Sequence, residues 1–448
     1  MKQKVVIIGG AGMDYHLFNM IFKNNSNYEV VAFTMAKEQN LGTTNKKLRS
    51  YPKSLAGKLY KKSIPTIPES SLKEFIKKKK INLCIFSYSD ISHEKLMNLA
   101  SVVLSAGANF ELISPKNLMI KSKKPVIAVT AVRTGCGKSQ LSKYIMDYLK
   151  SKGVKAVAVR EPMPYGDLEK EVVMRFETYE DLDKYNCTIE EREEYEQYIE
   201  KKLIVYSGVD YEKILKQAEK EAEVIIWDGG NNEIPFYKPD LWFVIADPLR
   251  AGDELKSHPG EVNFRMADYI IINKENSASK KQIQEIIKNA EKVNPKAKII
   301  HCNSIINPEQ KINIQNKKII VVEDGPTTTH GGLNTGAATV YAKKQKAKII
   351  NVEKYLTGGL KKIHKQFPHL KKIVPAMGYT KQQLNDLKKT LNKAKADYII
   401  SGTPINLTKL IKTNKPIIRI RYEIKEKKGN KIKKAVDKIL KNKKKLRN

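Results

Sequence analysis

Short, nearly continuous apolar runs rich in Val and Ile alternate along the chain with charged stretches in which apolar residues return every three or four positions. The runs lie at Val5–Ile8, Val30–Thr34, Leu83–Ser87, Phe110–Ile113, Val126–Thr130, Ala156–Val159, Val224–Trp227, Leu241–Ala246, Tyr269–Ile272, Lys298–His301, Ile319–Val322, Ala347–Ile350, Tyr398–Ser401 and Pro416–Ile420. A strand with one wet face alternates apolar and polar residues. Runs that are apolar at every position need cover on both faces, as in a parallel sheet between two helix layers. The pattern therefore predicts an α/β protein built of three-layer parallel-sheet units. Turn and charge signals at Lys121–Pro125 and Asn316–Lys318 interrupt the rhythm. They suggest a Rossmann-like unit at 1–121, a phosphate-loop unit at 122–316 and an α/β unit at 317–448. The last of these ends in a Lys-rich amphipathic helix expected to fray, with Ile432, Val436 and Leu440 spaced by four.

Charge changes this picture in one respect. The 448 residues include 83 Lys+Arg and 48 Asp+Glu, a formal net charge of +35. Residues 341–448 hold 32 Lys+Arg against 6 Asp+Glu, whereas residues 161–200 hold 14 acidic against 4 basic residues. Such polarisation suits an anionic partner, either nucleic acid or a small polyphosphate. No aromatic-interleaved RNA motif accompanies the lysines, which disfavours nucleic acid. The acidic stretch, rich in Tyr and Glu, is a candidate lid. Cys84, Cys136, Cys187 and Cys302 have no CxxC spacing, so neither a zinc site nor a disulfide framework is expected. No apolar run approaches the roughly 18 residues of a membrane span, and a cytoplasmic protein is expected.

The strongest chemical signal is Val126-Ile-Ala-Val-Thr-Ala-Val-Arg-Thr-Gly-Cys-Gly-Lys-Ser139, a strand and a glycine turn followed by a helix pattern from Gln140. Backbone N–H groups of such a turn cradle phosphates at the positive end of a helix. Thr134, Gly135, Cys136, Gly137 and Gln140 would line it, Lys138 would reach the terminal phosphates, and the Ser139 hydroxyl would ligate Mg²⁺. The strict G-x-x-x-x-G-K-S pattern fails at its first position, where Val132 stands. A second strand, Val224–Trp227, ends in Asp228, a candidate Mg²⁺ and catalytic carboxylate, with Glu161 and Glu233 as weaker candidates. Asn273-Lys274-Glu275 after another strand is close to the Asn-Lys-x-Asp element that holds guanine. Asn276 replaces the aspartate, leaving ATP or GTP open.

Substrate candidates sit at further strand ends, where open α/β sheets place ligands. One cluster is Arg250 with His258 and Arg265; another is Arg160 to Gly166; a third is Glu323-Asp-Gly-Pro-Thr-Thr-Thr-His-Gly-Gly332. In the third, Thr327, Thr328, Thr329 and His330 form a donor-rich loop suited to phosphate or carboxylate oxygens. Gly9-Gly-Ala-Gly-Met-Asp14 is an incomplete dinucleotide fingerprint, and Ser87–Glu94 a second strand-end loop of the same unit.

Taken together, Val129–Ser139, Trp227–Asn232 and Glu323–Gly332 resemble the archaeal cyclic 2,3-diphosphoglycerate synthetase family and its relatives described as predicted GTPases. The resemblance implies an ATP-dependent ligase that closes 2,3-diphosphoglycerate into a cyclic pyrophosphate, with Mg²⁺ and K⁺. It also implies a homodimer in which Arg133 stabilises nucleotide phosphate within its own subunit or across the interface. Arg133, Arg160, Arg250, His258, Arg265 and the Thr327–His330 loop would then hold the two substrate phosphates. A regulatory or chaperone-like GTPase is the competing expectation.

Overall fold

The computed structural model describes all residues except 1, 11, 37–48, 162–165, 231, 330–333, 377–380 and 446–448; at 189–190, 326–327 and 442–445 it describes only the backbone. The chain divides into two compact units: residues 1–176, 203–303 and 426–448 form the first, and residues 177–202 and 304–425 the second. This is a different division from 1–121, 122–316 and 317–448, because contacts rather than sequence order define it.

Two parallel sheets organise the first unit. The amino-terminal one runs β1 (Gln3–Ile8), β2 (Tyr28–Met35), β3 (Ser50–Tyr51), β4 (Ile64–Pro68), β5 (Leu83–Phe86), β6 (Ile91–Ser92) and β7 (Asn109–Leu112) along the chain. Its strand order is β3-β4-β2-β1-β5-β7, with β3 antiparallel to β4 and β6 outside it. The second sheet uses β8 (Val126–Ala131), β9 (Ala156–Val159), β10 (Met174–Phe176), β11 (Ile204–Ser207), β12 (Val224–Trp227) and β13 (Leu241–Ala246). After the short β14 (Ser257–His258) come β15 (Tyr269–Ile272) and the first half of β16 (Lys298–Pro308). Its order is β10-β11-β9-β12-β8-β13-β15-β16, parallel throughout except for the edge strand β10. The central strands β8, β12 and β13 are buried at every position, as the unbroken apolar runs require.

The amino-terminal sheet is fastened to the phosphate-loop sheet by β14 pairing antiparallel with β6, Ser257 opposite Ser92 and His258 opposite Ile91. An aromatic stack adds to this join: His16 lies on Phe236 with centroids 4.1 Å apart, and Phe236 packs on Trp227 at 4.6 Å. The terminal helix Lys431–Lys445 also belongs here. Ile432 and Val436 are buried, the Tyr148 hydroxyl donates to Asp437 at 2.8 Å, and Lys433 lies over the rings of Tyr144 and Tyr148. The helix expected to fray is docked along this described part, because its apolar stripe has a partner in the helix after the phosphate loop.

In the second unit β17 (Lys318–Asp324) is central. It pairs on one side with β18 (Lys348–Ile349) and β19 (Ile373–Ala376), and on the other with β20 (Tyr398–Ser401), which pairs with β21 (Ile417–Glu426). The acidic stretch after Phe176 is built into this unit. Glu193 accepts from the Thr403 hydroxyl at 2.7 Å, Glu196 from the Asn406 amide at 3.0 Å, and Glu200 pairs with Arg419 and Arg421. Its carboxylates serve as internal counter-charges for this basic unit.

Candidate active site

The loop between β8 and the helix Lys138–Ser151 takes the form that phosphate binding needs. Gly135 and Gly137 have φ of +83° and +105°, a left-handed backbone that side chains rarely tolerate. At Gly137 space is a second reason, since a Cβ would lie 2.4 Å from Asn273 Nδ2. Lys138 opens the helix with its side chain buried, donating from Nζ to Asp228 Oδ1 and to the Asp228 carbonyl, both at 3.4 Å, and to the Gly229 carbonyl. Burial pulls its ammonium down to about 8, against the opposing pull of Asp228.

Asp228, fully buried at the end of β12, also pairs with Arg160, which follows β9 and is 1% exposed. Arg160 donates to the Ser139 hydroxyl at 3.3 Å, so Ser139, Arg160, Asp228 and Lys138 form one connected group. Each of the four stands at the end of a parallel strand or the start of the next helix, where chain direction brings them together.

Other residues hold the loop from beneath. Asn273 Nδ2 donates to the Cys136 carbonyl at 3.0 Å, Lys274 Nζ to the Gly135 carbonyl at 2.6 Å, and Arg250 to the Thr134 carbonyl at 2.6 Å. Asp247 accepts from Lys274 at 2.6 Å and lies 3.6 Å from Arg250, tying these two cations together. The Val132 carbonyl accepts from Asn232 at 2.9 Å and from the Ser257 hydroxyl at 2.8 Å. Asn273, Lys274 and Arg250 thus engage loop carbonyls.

The amino-terminal sheet contributes at the rim. Arg133 is held between Asp90 at 3.0 Å and Asp253 at 3.2 Å. The Ser89 hydroxyl donates to Glu233 Oε1 at 2.5 Å. Asp14, buried, accepts from the Gly12 amide at 2.6 Å. Desolvation and the like charges of Glu233 and Asp14 push the Glu161 carboxyl well above its ordinary value, while the Met13 amide opposes them. His258 lies beside Phe86 at 5.7 Å, its imidazole lowered to about 4 by burial. Arg265 is half-exposed and pairs with Glu261 one turn back on its own helix, so it is not drawn into the group around Lys138.

In the second unit the Thr-rich segment is turned inward. Thr328 Oγ1 donates to the Asp324 carbonyl at 2.8 Å, and Thr329 Oγ1 to the Gly325 carbonyl at 2.8 Å. The nearby helix Ala337–Lys344 begins on the buried Glu323 carboxylate, which accepts from the Thr339 amide at 2.7 Å and its hydroxyl at 2.6 Å. The side chain of Thr327, and His330 with the glycines after it, lie outside the described residues.

Sequence reading reached Ser89 and Asp90 only within the Ser87–Glu94 loop and Asn232 only within the Trp227–Asn232 motif, and it missed Ser257 and Asn263. Asn263 donates to the Asn232 carbonyl at 2.8 Å and to the Glu233 carbonyl at 3.3 Å from inside the short helix Gly260–Met266. A lone Asn in a helix gives no local signal; only its meeting with a loop some thirty residues away gives it a role. Among the described residues no group of three or more His, Cys, Asp or Glu could hold a metal ion.

Fold and loop together define a phosphate-loop nucleotide-binding α/β protein. The chain is 52% identical to the arginine synthetase ArcE of Thermococcus kodakarensis over 447 residues, all of this chain and 99% of that one, and it belongs to the same family. It is 25% identical to the cyclic 2,3-diphosphoglycerate synthetase of Thermococcus sibiricus over 288 residues, 57% of this chain and 64% of that one. The family expected from the motifs is thus a relative, and the particular synthetase matched along the whole chain is a different one. No family model matches the chain. Among solved structures, LpxK from Aquifex aeolicus in complex with ATP is similar with a TM-score of 0.43 and 13% identity, covering 77% of this chain and 95% of that one. Among the described residues no helix is long and apolar enough to cross a membrane.

Proposed function

We propose that this chain is an ATP-dependent synthetase that forms arginine. The observation that carries the reading is the end-to-end match at 52% identity to a protein named for that activity. The chemistry of the product narrows the reaction. A guanidinium carbon bears three nitrogens, and its ureido counterpart, citrulline, bears two nitrogens and an oxygen at the same oxidation level. Replacing that oxygen by ammonia needs no redox step but does need a leaving group. Transfer of the γ-phosphoryl group of ATP to the ureido oxygen supplies one, and attack by ammonia then expels phosphate.

The residues around the loop support the nucleotide part of this reading. Loop amides and the Lys138 ammonium would bind the terminal phosphates and offset charge as the phosphoryl group moves. Ser139 would hold Mg²⁺, with Asp228 acting through water because its carboxylate is engaged by Lys138 and Arg160. Bound there, Mg²⁺ would neutralise phosphate charge. Arg160, buried beside Ser139, supports the same task.

The test is purified protein with Mg²⁺, ATP, ammonium and citrulline, read by arginine formation and by phosphate release. GTP and 2,3-diphosphoglycerate serve in parallel reactions. Arginine formed only when all four components are present is the expected result. A cyclic pyrophosphate from 2,3-diphosphoglycerate, with no arginine, would replace this reading by the cyclising ligase.

A further inference from the structure

Between the phosphate loop and the amino-terminal sheet, two carboxylates point at one spot. A Cβ built on Gly230 would lie 3.2 Å from Glu161 Oε2 and 3.3 Å from Glu233 Oε2, so both oxygens border the same small space. Gly230, two residues beyond Asp228, is what leaves that space open.

The space is built rather than incidental. Glu233 is 4% exposed; Ser89 takes its Oε1, and its Oε2 is buried with no hydrogen-bond partner among the described residues. Its backbone is fixed by Asn263. The Ser87 hydroxyl, 1% exposed at the end of β5 and two residues from Ser89, is also without a partner among the described residues. Without a ligand the raised Glu161 carboxyl is the donor that meets Glu233, and a bound cation would take the place of that proton. Lys138 and Arg160 are both committed to Asp228 on the loop side.

We infer that Glu161 and Glu233 form a subsite for a cationic nitrogen group, the ammonium that yields the attacking ammonia by leaving a proton on one of these carboxylates, or the guanidinium once formed. Ser89 is a positioning residue that fixes Glu233 from the amino-terminal sheet. The inference rests on the proposed arginine-forming reaction. It assigns the second substrate to the opposite side of the site from the phosphates, with the cations of the loop left to the nucleotide. A donor-rich cation such as ammonium or guanidinium suits this pair once the proton it holds has left, because both carboxylates then present only acceptors.

The test compares wild type with Glu233→Gln, Glu161→Gln, Gly230→Ala and Ser89→Ala in arginine formation, varying ammonium and ATP separately. Gly230→Ala places a methyl group in the space without removing charge, and a thermal melt checks that each variant folds. The KM for ammonium should rise about tenfold or more for the two Gln variants and for Gly230→Ala, and about threefold for Ser89→Ala, while the KM for ATP stays within about twofold. An unchanged ammonium KM in Glu233→Gln and Gly230→Ala, or an equal rise in both KM values, overturns the subsite and leaves the reaction standing. If wild type makes no arginine, the reaction itself fails, and arginine binding measured by calorimetry decides the subsite. Binding to wild type that Gly230→Ala abolishes supports it; no binding to wild type overturns it.

Discussion

Two strand-end loops of this chain offer themselves to anions in sequence, the Gly-Cys-Gly-Lys loop after β8 and the Thr-Thr-Thr-His loop after β17. The structure treats them in opposite ways. Around the first, side chains from neighbouring strands take the loop's carbonyls: Asn273 holds Cys136, Lys274 holds Gly135 and Arg250 holds Thr134. Held that way, the turn keeps its amides and Lys138 at the helix start. Around the second, Thr328 and Thr329 donate to their own backbone, and the helix that follows starts on the Glu323 carboxylate. An anion site therefore depends on whether the chain has already consumed the loop's donors, which residue type alone does not disclose.

The largest effect that separates the two loops is Lys138→Ala, which should cut nucleotide turnover by at least about a hundredfold with the fold retained by circular dichroism. Turnover within tenfold of wild type would remove the phosphate loop from the chemistry. The same lysine gives a pH signature. Its folded value of about 8 lies below the ordinary 10.5, so between those values the unfolded chain holds more protons and stability rises with pH. The ammonium is lost over that window, so ATP affinity of the free protein should fall about tenfold per pH unit above 8. Flat binding from pH 7 to 10 would contradict this.

Smaller effects test the support beneath each loop. Asn273→Ala removes a donor to Cys136 and should raise the KM for ATP about tenfold while shifting the melting temperature little. In the second unit Glu323→Gln puts an amide among N–H donors and should cost about 1–3 kcal/mol of stability, with the KM for ATP unmoved. Burial holds the Glu323 carboxyl up at about 7 against an ordinary 4.5, so the folded state keeps more protons between those values. Stability from this group is present below pH 4.5 and lost as pH rises through 7. Denaturant melts should therefore flatten with pH in Glu323→Gln. Smallest of all, Thr329→Val should leave arginine formation within about twofold, since its hydroxyl serves only its own turn. A large loss of activity there would return the Thr-rich loop to the site.

Much of the fold was legible in sequence, because strands buried on both faces must be apolar throughout. All fourteen apolar runs named at the outset fall on strands. Most strands that escaped are broken by proline, as in Ile64-Pro-Thr-Ile-Pro68 and Ile373-Val-Pro-Ala376, or are short pieces such as Met174–Phe176, while Ile204–Ser207 escaped although it is as long as Ala156–Val159. The acidic stretch at 161–200 was read as a lid candidate from its composition, which did not disclose the partners of its carboxylates. Its excess charge is local in sequence but is balanced by Arg419 and Arg421, more than two hundred residues later.

By itself the sequence determined the α/β class, the phosphate loop and the carboxylate at Asp228, since each depends on neighbours within one strand, turn and helix. Tertiary structure decided which donors remain available to a ligand. It set Arg160 on Asp228, aimed Glu161 and Glu233 at the space beside Gly230, and turned the Thr328 and Thr329 hydroxyls onto their own backbone. Those outcomes follow from side chains distant in sequence meeting in a dry interior, where each buried polar atom must find a partner or be left for a ligand to complete.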